Sequence, residues 1–135
     1  MLLIMLSCKQ EEKVVLKEDF VFGYGGMENL KVFKFTDDTV YISKNYPSRL
    51  KAHYYIINDY DITKINKFLS AIENVNYNKE YINDNVVDGL YYQFEFLKTK
   101  KRVYVQNYES IDLIILTQFA DYLINLSNFK EEVEH

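Results

Sequence analysis

The sequence predicts an α+β fold: an antiparallel sheet of about five strands with two helices packed on one face. Three observations lead there. Several segments alternate apolar and polar residues with the period of two that a half-buried strand requires. Two others place apolar residues three and four apart, the spacing of an amphipathic helix. The strand-like segments come in pairs joined by short turns, which makes antiparallel neighbours. A chain of 135 residues, 48% hydrophobic and 27% charged, has the length and composition of one globular domain.

Taken in order, Asp19-Phe20-Val21-Phe22 reads as a short edge strand, and Gly23-Tyr24-Gly25-Gly26 as a loop whose glycines supply positive-φ freedom. Those glycines lack the Lys-Ser/Thr of a phosphate cradle, and a strand, not a helix, follows them. Residues 30–35 and 39–43 form a hairpin around Asp37-Asp38, because aspartate side chains bond nearby turn amides. Val40 and Ile42 share one face of it; Thr39, Tyr41 and Ser43 share the other. Pro47 then breaks the chain, and residues 52–58 make a third strand rich in Tyr and Ile.

Residues 62–76 carry Ile62, Ile65, Phe68, Leu69, Ile72 and Val75 as one apolar stripe, with Asp61 placed to cap the amino end. Residues 77–88 read as a polar, Asn-rich connection ending in the turn signal Asp88-Gly89. Leu90, Tyr92, Phe94 and Phe96 then alternate with Tyr91, Gln93 and Glu95, one side buried and one free. The tip Lys98-Thr99-Lys100-Lys101 reverses the chain into Val103-Tyr104-Val105-Gln106. A last helix starts at Ile111 or Asp112, capped by Ser110, and ends at Ser127. Its Leu113, Leu116, Ala120 and Leu123, beside Ile115, Phe119, Tyr122 and Leu126, predict a broad buried arc. Residues 130–135 read as a frayed charged tail.

Charge and composition exclude several chemistries. The net charge is −4, and Glu131, Glu132 and Glu134 supply most of it, so the body is close to neutral. A near-neutral body offers no groove that tracks phosphates, and nucleic acid is not an expected partner. The basic run Lys98, Lys100, Lys101 and Arg102 reads as a solvated hairpin tip. With one cysteine and two histidines there is no intrachain disulfide, no Cys-rich zinc site and no multi-histidine centre. No run of 18 apolar residues occurs. Asn83-Asp84-Asn85 with Asp88-Gly89 misses the spacing of a calcium loop, and Asp61 of the pair Asp59/Asp61 is better employed as a cap. A catalytic triad would have to use His53, which no nucleophile motif accompanies. No cofactor and no metal are expected.

Tyrosine stands out, with 13 Tyr and 9 Phe against no Trp. If the helices cover one face of the sheet, alternation places Tyr41, Tyr91, Tyr104 and Tyr108 on the other, among Gln93, Glu95, Arg102 and Gln106. Tyrosine offers large contact area at low entropic cost, which makes Tyr41, Tyr91, Gln93, Tyr104 and Tyr108 the candidate binding face. The competing reading is that tyrosine has high strand propensity and tolerates half-exposure. A register slip of one residue would invert the assignment.

Met1-Leu2-Leu3-Ile4-Met5-Leu6-Ser7-Cys8 is an apolar run ending in a small residue and a cysteine. It resembles the end of a bacterial lipoprotein signal peptide, which is cleaved before a cysteine that then carries lipid. It departs from that pattern at Leu6, where a small residue is usual, and at Met5, where leucine is. It also lacks a basic n-region and has a short apolar part, for which an upstream start is the simplest repair. Lys9-Gln10-Glu11-Glu12-Lys13 resembles the short lysine-plus-acid tag that follows the cysteine in Bacteroidetes-type surface lipoproteins. The order of elements, with Asp37-Asp38, Tyr81, Asp88 and the second hairpin, loosely resembles small uncharacterised lipoproteins of those bacteria over about residues 30–126. That resemblance brings no activity with it. It implies a signal remnant and tether over residues 1–13, a domain over 14–129 and a tail over 130–135.

The expected protein is a non-enzymatic binding or accessory module, lipid-anchored through Cys8 to the outer membrane of a Gram-negative bacterium, on its periplasmic or outer side. Its expected partner is a protein or glycan, met through the Tyr-rich face or the 23–26 loop. The alternatives are an immunity protein neutralising a competitor's toxin, where an acidic surface would speed capture, and a hydrolase using Asp84, Asp88 or His53.

Overall fold

The structure is a computed structural model describing residues 13–26, 30–43, 53–85 and 91–133, with residues 43, 53 and 128–133 described by their backbone alone. Among the described residues, seven strands form one sheet: β1 (Phe20–Gly25), β2 (Lys31–Thr36), β3 (Thr39–Ser43), β4 (His53–Ile56), β5 (Glu80–Ile82), β6 (Tyr91–Phe96) and β7 (Lys101–Gln106). Helix α1 (Asp59–Ile72) separates β4 from β5, and a 3₁₀ turn (Ile111–Leu113) leads into α2 (Ile114–Val133). The spatial order is β4-β3-β2-β1-β6-β7-β5. Every neighbouring pair is antiparallel except β5 and β7, which run parallel.

The α+β class is as expected, with two α-helices among the described residues, but those residues already place seven strands in the sheet rather than about five. Residues 20–22 do not form an edge strand: β1 is central, paired with β2 on one side and β6 on the other. It also runs on through Gly23 to Gly25, where a loop was expected. Phe20 and Phe22 face inward and are fully buried, while Gly23 and Gly25 alternate with them toward the opposite face. The second addition is β5, inside the polar segment 77–88. It is held to β7 by backbone bonds from the Tyr104 amide to the Lys79 carbonyl and from the Asn83 amide to the Gln106 carbonyl.

The core is phenylalanine. Phe20 sits opposite Phe35 and Phe96, and Phe22 opposite Phe33 and Phe94. Phe119 of α2 lies on this layer, its ring centroid 5.6 Å from Phe20, 5.1 Å from Phe94 and 5.0 Å from Phe68 of α1. Ile62, Ile65, Leu69 and Ile72 of α1 and Leu116, Ala120 and Leu123 of α2 complete one cluster with the inward strand residues. Both helices therefore cover the same face.

Capping differs from the expectation in one respect. Asn58, not Asp61, caps α1: its Oδ1 accepts from the Asp61 amide at 2.8 Å. The Asp61 carboxylate instead accepts a short hydrogen bond from the Tyr122 hydroxyl and so ties α1 to α2. Ser110 caps the final helix as expected, with its Oγ accepting from the Asp112 amide at 3.2 Å. The helical backbone continues to Val133, beyond Ser127 and into the segment expected to fray. Ile111, Ile114 and Ile115 at its start are exposed, so the buried arc is narrower than the composition suggested.

Residues 13–18 form an arm across the helical layer. Leu16 is buried, and its amide donates to the Asp37 carbonyl at 2.7 Å. The Asn66 side chain of α1 donates to the Val15 carbonyl at 2.9 Å and accepts from the Lys17 amide at 2.7 Å, as a neighbouring strand would. Lys13 pairs with Asp38 at 2.9 Å, and Lys17 with Glu73 at 2.6 Å. Lys13 holds the Asp38 carboxyl below its usual range, chiefly by hydrogen bonding.

Two outcomes are expected. Phe119→Ala removes the ring shared by both layers and should cost about 3–5 kcal/mol in urea unfolding. Burial, then the bond to Asp61, holds Tyr122 protonated above the ordinary tyrosine value of 10.0. Because the folded value is raised, this stability is complete below pH 10 and falls as pH climbs through the folded value. Tyr122→Phe should therefore lower stability at neutral pH by about 1 kcal/mol, and its melting temperature should fall less steeply than the parent's above pH 10.

Candidate functional site

The face turned away from the helices can be laid out from the strand register. One row across the sheet reads Tyr54, Tyr41, Lys34, Val21, Glu95, Arg102; the next reads Val32, Gly23, Gln93, Tyr104, Glu80. A third row holds Gly25, Tyr91, Gln106 and Ile82. Alternation within each strand fixes this: Phe94, Phe96, Val103 and Val105 point into the core, so Tyr91, Gln93, Glu95, Arg102 and Tyr104 point out. Tyr41, Tyr91, Gln93 and Tyr104 thus lie on the open face, where the sequence placed them.

They do not form one cluster. Tyr41 packs with Tyr54 near the β4 edge, ring centroids 6.3 Å apart. Tyr91 and Tyr104 pack at 5.3 Å across β6 and β7. The middle of the sheet between them carries the smaller Val21, Gly23 and Val32. Gly23 has a local reason: a Cβ there would stand 3.1 Å from Gln93 Nε2 and 3.2 Å from its Cγ. The glycine lets the Gln93 side chain lie down across β1.

Tyr108 does not join them. Asn107 adopts φ 49° and ends β7, so the alternation that would have carried Tyr108 to the open face stops there. Its ring packs instead on Tyr81, centroids 5.5 Å apart, and Tyr81 shares the core side with Val105.

Hydrogen bonding and charge give the face its chemistry. The Tyr104 hydroxyl donates to Gln106 Oε1 at 3.2 Å. Arg102 pairs with Glu95 at 3.3 Å, an exposed contact of the kind worth at most about 1 kcal/mol. Burial pushes the phenols of Tyr91 and Tyr104 above the ordinary tyrosine range, helped by Tyr104 in the first case and Glu80 in the second. Both are neutral hydroxyls at physiological pH. An open depression of about 1190 Å³ takes in Val21, Val32, Lys34, Gln93, Arg102 and Tyr104, then continues past the 97–100 turn to Leu69 and Ile72 of α1.

The other candidates fall apart from this face. Asp84 is exposed on the turn after β5, while Asp88 and the His53 side chain lie outside the described residues, as does Cys8. Among the described residues, no three His, Cys, Asp or Glu side chains converge on a metal position, and no helix is long and apolar enough to cross a membrane. β5 covers only Tyr104, Val105 and Gln106 of β7, which leaves residues 101–103 as sheet edge. The exposed Lys98, Lys100 and Lys101 stand beside that edge, where lysine discourages pairing with another strand.

Sequence reasoning missed Tyr54, whose ring completes the Tyr41 pair, and the role of Gly23. The first was visible as alternation within residues 53–56; the second needed the pairing of β1 with β6.

Tyr91→Ala with Tyr104→Ala should lower stability by about 1 kcal/mol per ring or less, because both side chains are half-exposed and outside the core. Tyr55→Ala, on the inward side of β4, should cost several times more in the same urea titration.

No protein-family model, curated protein or solved structure matches the chain.

Proposed function

We propose that this is a non-enzymatic envelope protein, anchored by lipid on Cys8 to the outer membrane of a Gram-negative bacterium, that binds a protein or glycan through the open sheet face. The observation that carries the binding half is one-sidedness: both helices bury the same face, and the opposite one presents Tyr91, Tyr104 and Gln93, all half-exposed. Neutral phenols, an amide and a balanced Arg102–Glu95 pair supply flat apolar area with hydrogen-bond donors and acceptors at its rim. That chemistry suits sugar rings and protein surfaces better than a polyanion. The anchoring half rests on the run that ends in Ser7-Cys8 and on the charged residues 9–13 that follow. Several acyl chains, at about 0.8 kcal/mol per buried methylene, would hold such a protein firmly.

The anchor and the face are tested separately. In cells, Cys8→Ala or globomycin treatment should move the protein from the membrane to the soluble fraction and remove the lipid from its intact mass; unchanged fractionation contradicts the anchor. Tyr91→Ala with Tyr104→Ala should abolish capture of an envelope partner that the folded parent retains. Undiminished capture contradicts the face.

A further inference from the structure

We propose that the end of the sheet bearing the 37–38 and 97–100 turns rests on the bilayer, with Ile56 and Tyr60 among the headgroups and the Lys98, Lys100, Lys101 tip against anionic lipid. This rests on the lipid anchor at Cys8. Lys13 is paired with Asp38, the Leu16 amide bonds the Asp37 carbonyl, and the Ile57 amide bonds the Asp38 carbonyl at 2.7 Å. The arm's entry, the 37–38 turn and the end of β4 are therefore one corner of the molecule.

Five residue steps separate Cys8 from Lys13, at most about 18 Å of chain, whereas a body of this size is about 35 Å across. Only the half nearest that corner can meet the membrane. Ile56 lies opposite Thr39 on the open face and is 66% exposed; Tyr60, in the first turn of α1, is 71% exposed. Phe20 faces both Phe35 and Phe96, so the 37–38 and 97–100 turns leave the sheet at the same end. The lysine tip is therefore presented alongside the tethered corner. Glu18 next to that tip accepts from the Thr99 amide at 3.2 Å and sets one negative charge against the three lysines. Asp37 and Asp59 are exposed near Ile56, so contact at that corner is apolar, and electrostatic attraction belongs to the lysines. The exposed Ile111 begins the final helix, beyond the opposite end of β7 and outside the tether's reach.

The chain has one cysteine and no tryptophan, which makes the test clean. The full chain carrying Tyr60→Trp, or separately Ile111→Trp, is coupled through Cys8 to maleimide-headgroup lipid in phosphatidylcholine–phosphatidylglycerol vesicles, with and without brominated lipid. The tryptophan at position 60 should lose roughly half its emission to the bromine, as a side chain about 5–10 Å into the interface does. The one at 111 should be unaffected. Replacing phosphatidylglycerol by phosphatidylcholine, or Lys98→Glu with Lys101→Glu, should weaken the quenching. No quenching at 60, or equal quenching at 111, overturns the proposal. Shielding at 60 that grows with protein density and ignores bromine indicates a second copy there and also overturns it. Because the coupling is chemical, the result stands apart from whether cells acylate Cys8, which the intact mass decides.

Discussion

Everything in this molecule depends on the seating of Phe119 over Phe20 and Phe94. Those two rings belong to adjacent central strands and share one face because side chains alternate along β1 and β6. Once α2 is fixed there, Phe68 brings α1 onto the same layer, and the Tyr122–Asp61 bond locks the helices together. The opposite face is then decided as well. Every residue one step out of phase with a core phenylalanine must lie on it, which is why Gly23, Gln93 and Tyr104 meet there.

Much of this could be read from residues alone. Period-two alternation in residues 90–96 and 103–106 assigned Phe94, Phe96, Val103 and Val105 inward and Tyr91, Gln93 and Tyr104 outward, as found. Both helices were legible from their stripes. The misses have identifiable causes. Gly23 and Gly25 read as loop because glycine has low strand propensity, yet Gly23 lies between β2 and β6, where a side chain would meet Gln93, and Gly25 ends the strand at φ 149°. β5 was hidden because only Tyr81 in it faces the core; its place comes from main-chain bonds to β7. Tyr108 was carried outward by an alternation that Asn107 interrupts. The Asn66 clamp on residues 15 and 17 joins positions about fifty apart, a pairing no local pattern reveals.

The two ends of the sheet differ in chemistry. One end receives the arm, with Lys13 at Asp38, and bears the lysine tip and the exposed Ile56 and Tyr60. The other end carries the 3₁₀ turn and the start of α2, with Ile111, Ile114 and Ile115 in solvent. Between them the open face runs the width of the sheet, its tyrosines gathered toward the two sides and smaller residues in the middle. A protein held at the first end would present the Tyr91–Tyr104 side of that face to its surroundings.

Which residues of the sheet face solvent is the claim beneath all of this, and hydroxyl-radical footprinting read by mass spectrometry tests it most directly. The account expects rapid oxidation at Tyr41 and Tyr54, intermediate rates at Tyr91 and Tyr104, and protection of Tyr55, Phe20, Phe33 and Phe94. Protected Tyr41 and Tyr104 beside reactive Tyr55 and Phe94 would mean that the strands are out of register by one residue, and the open face would belong to a different set of side chains.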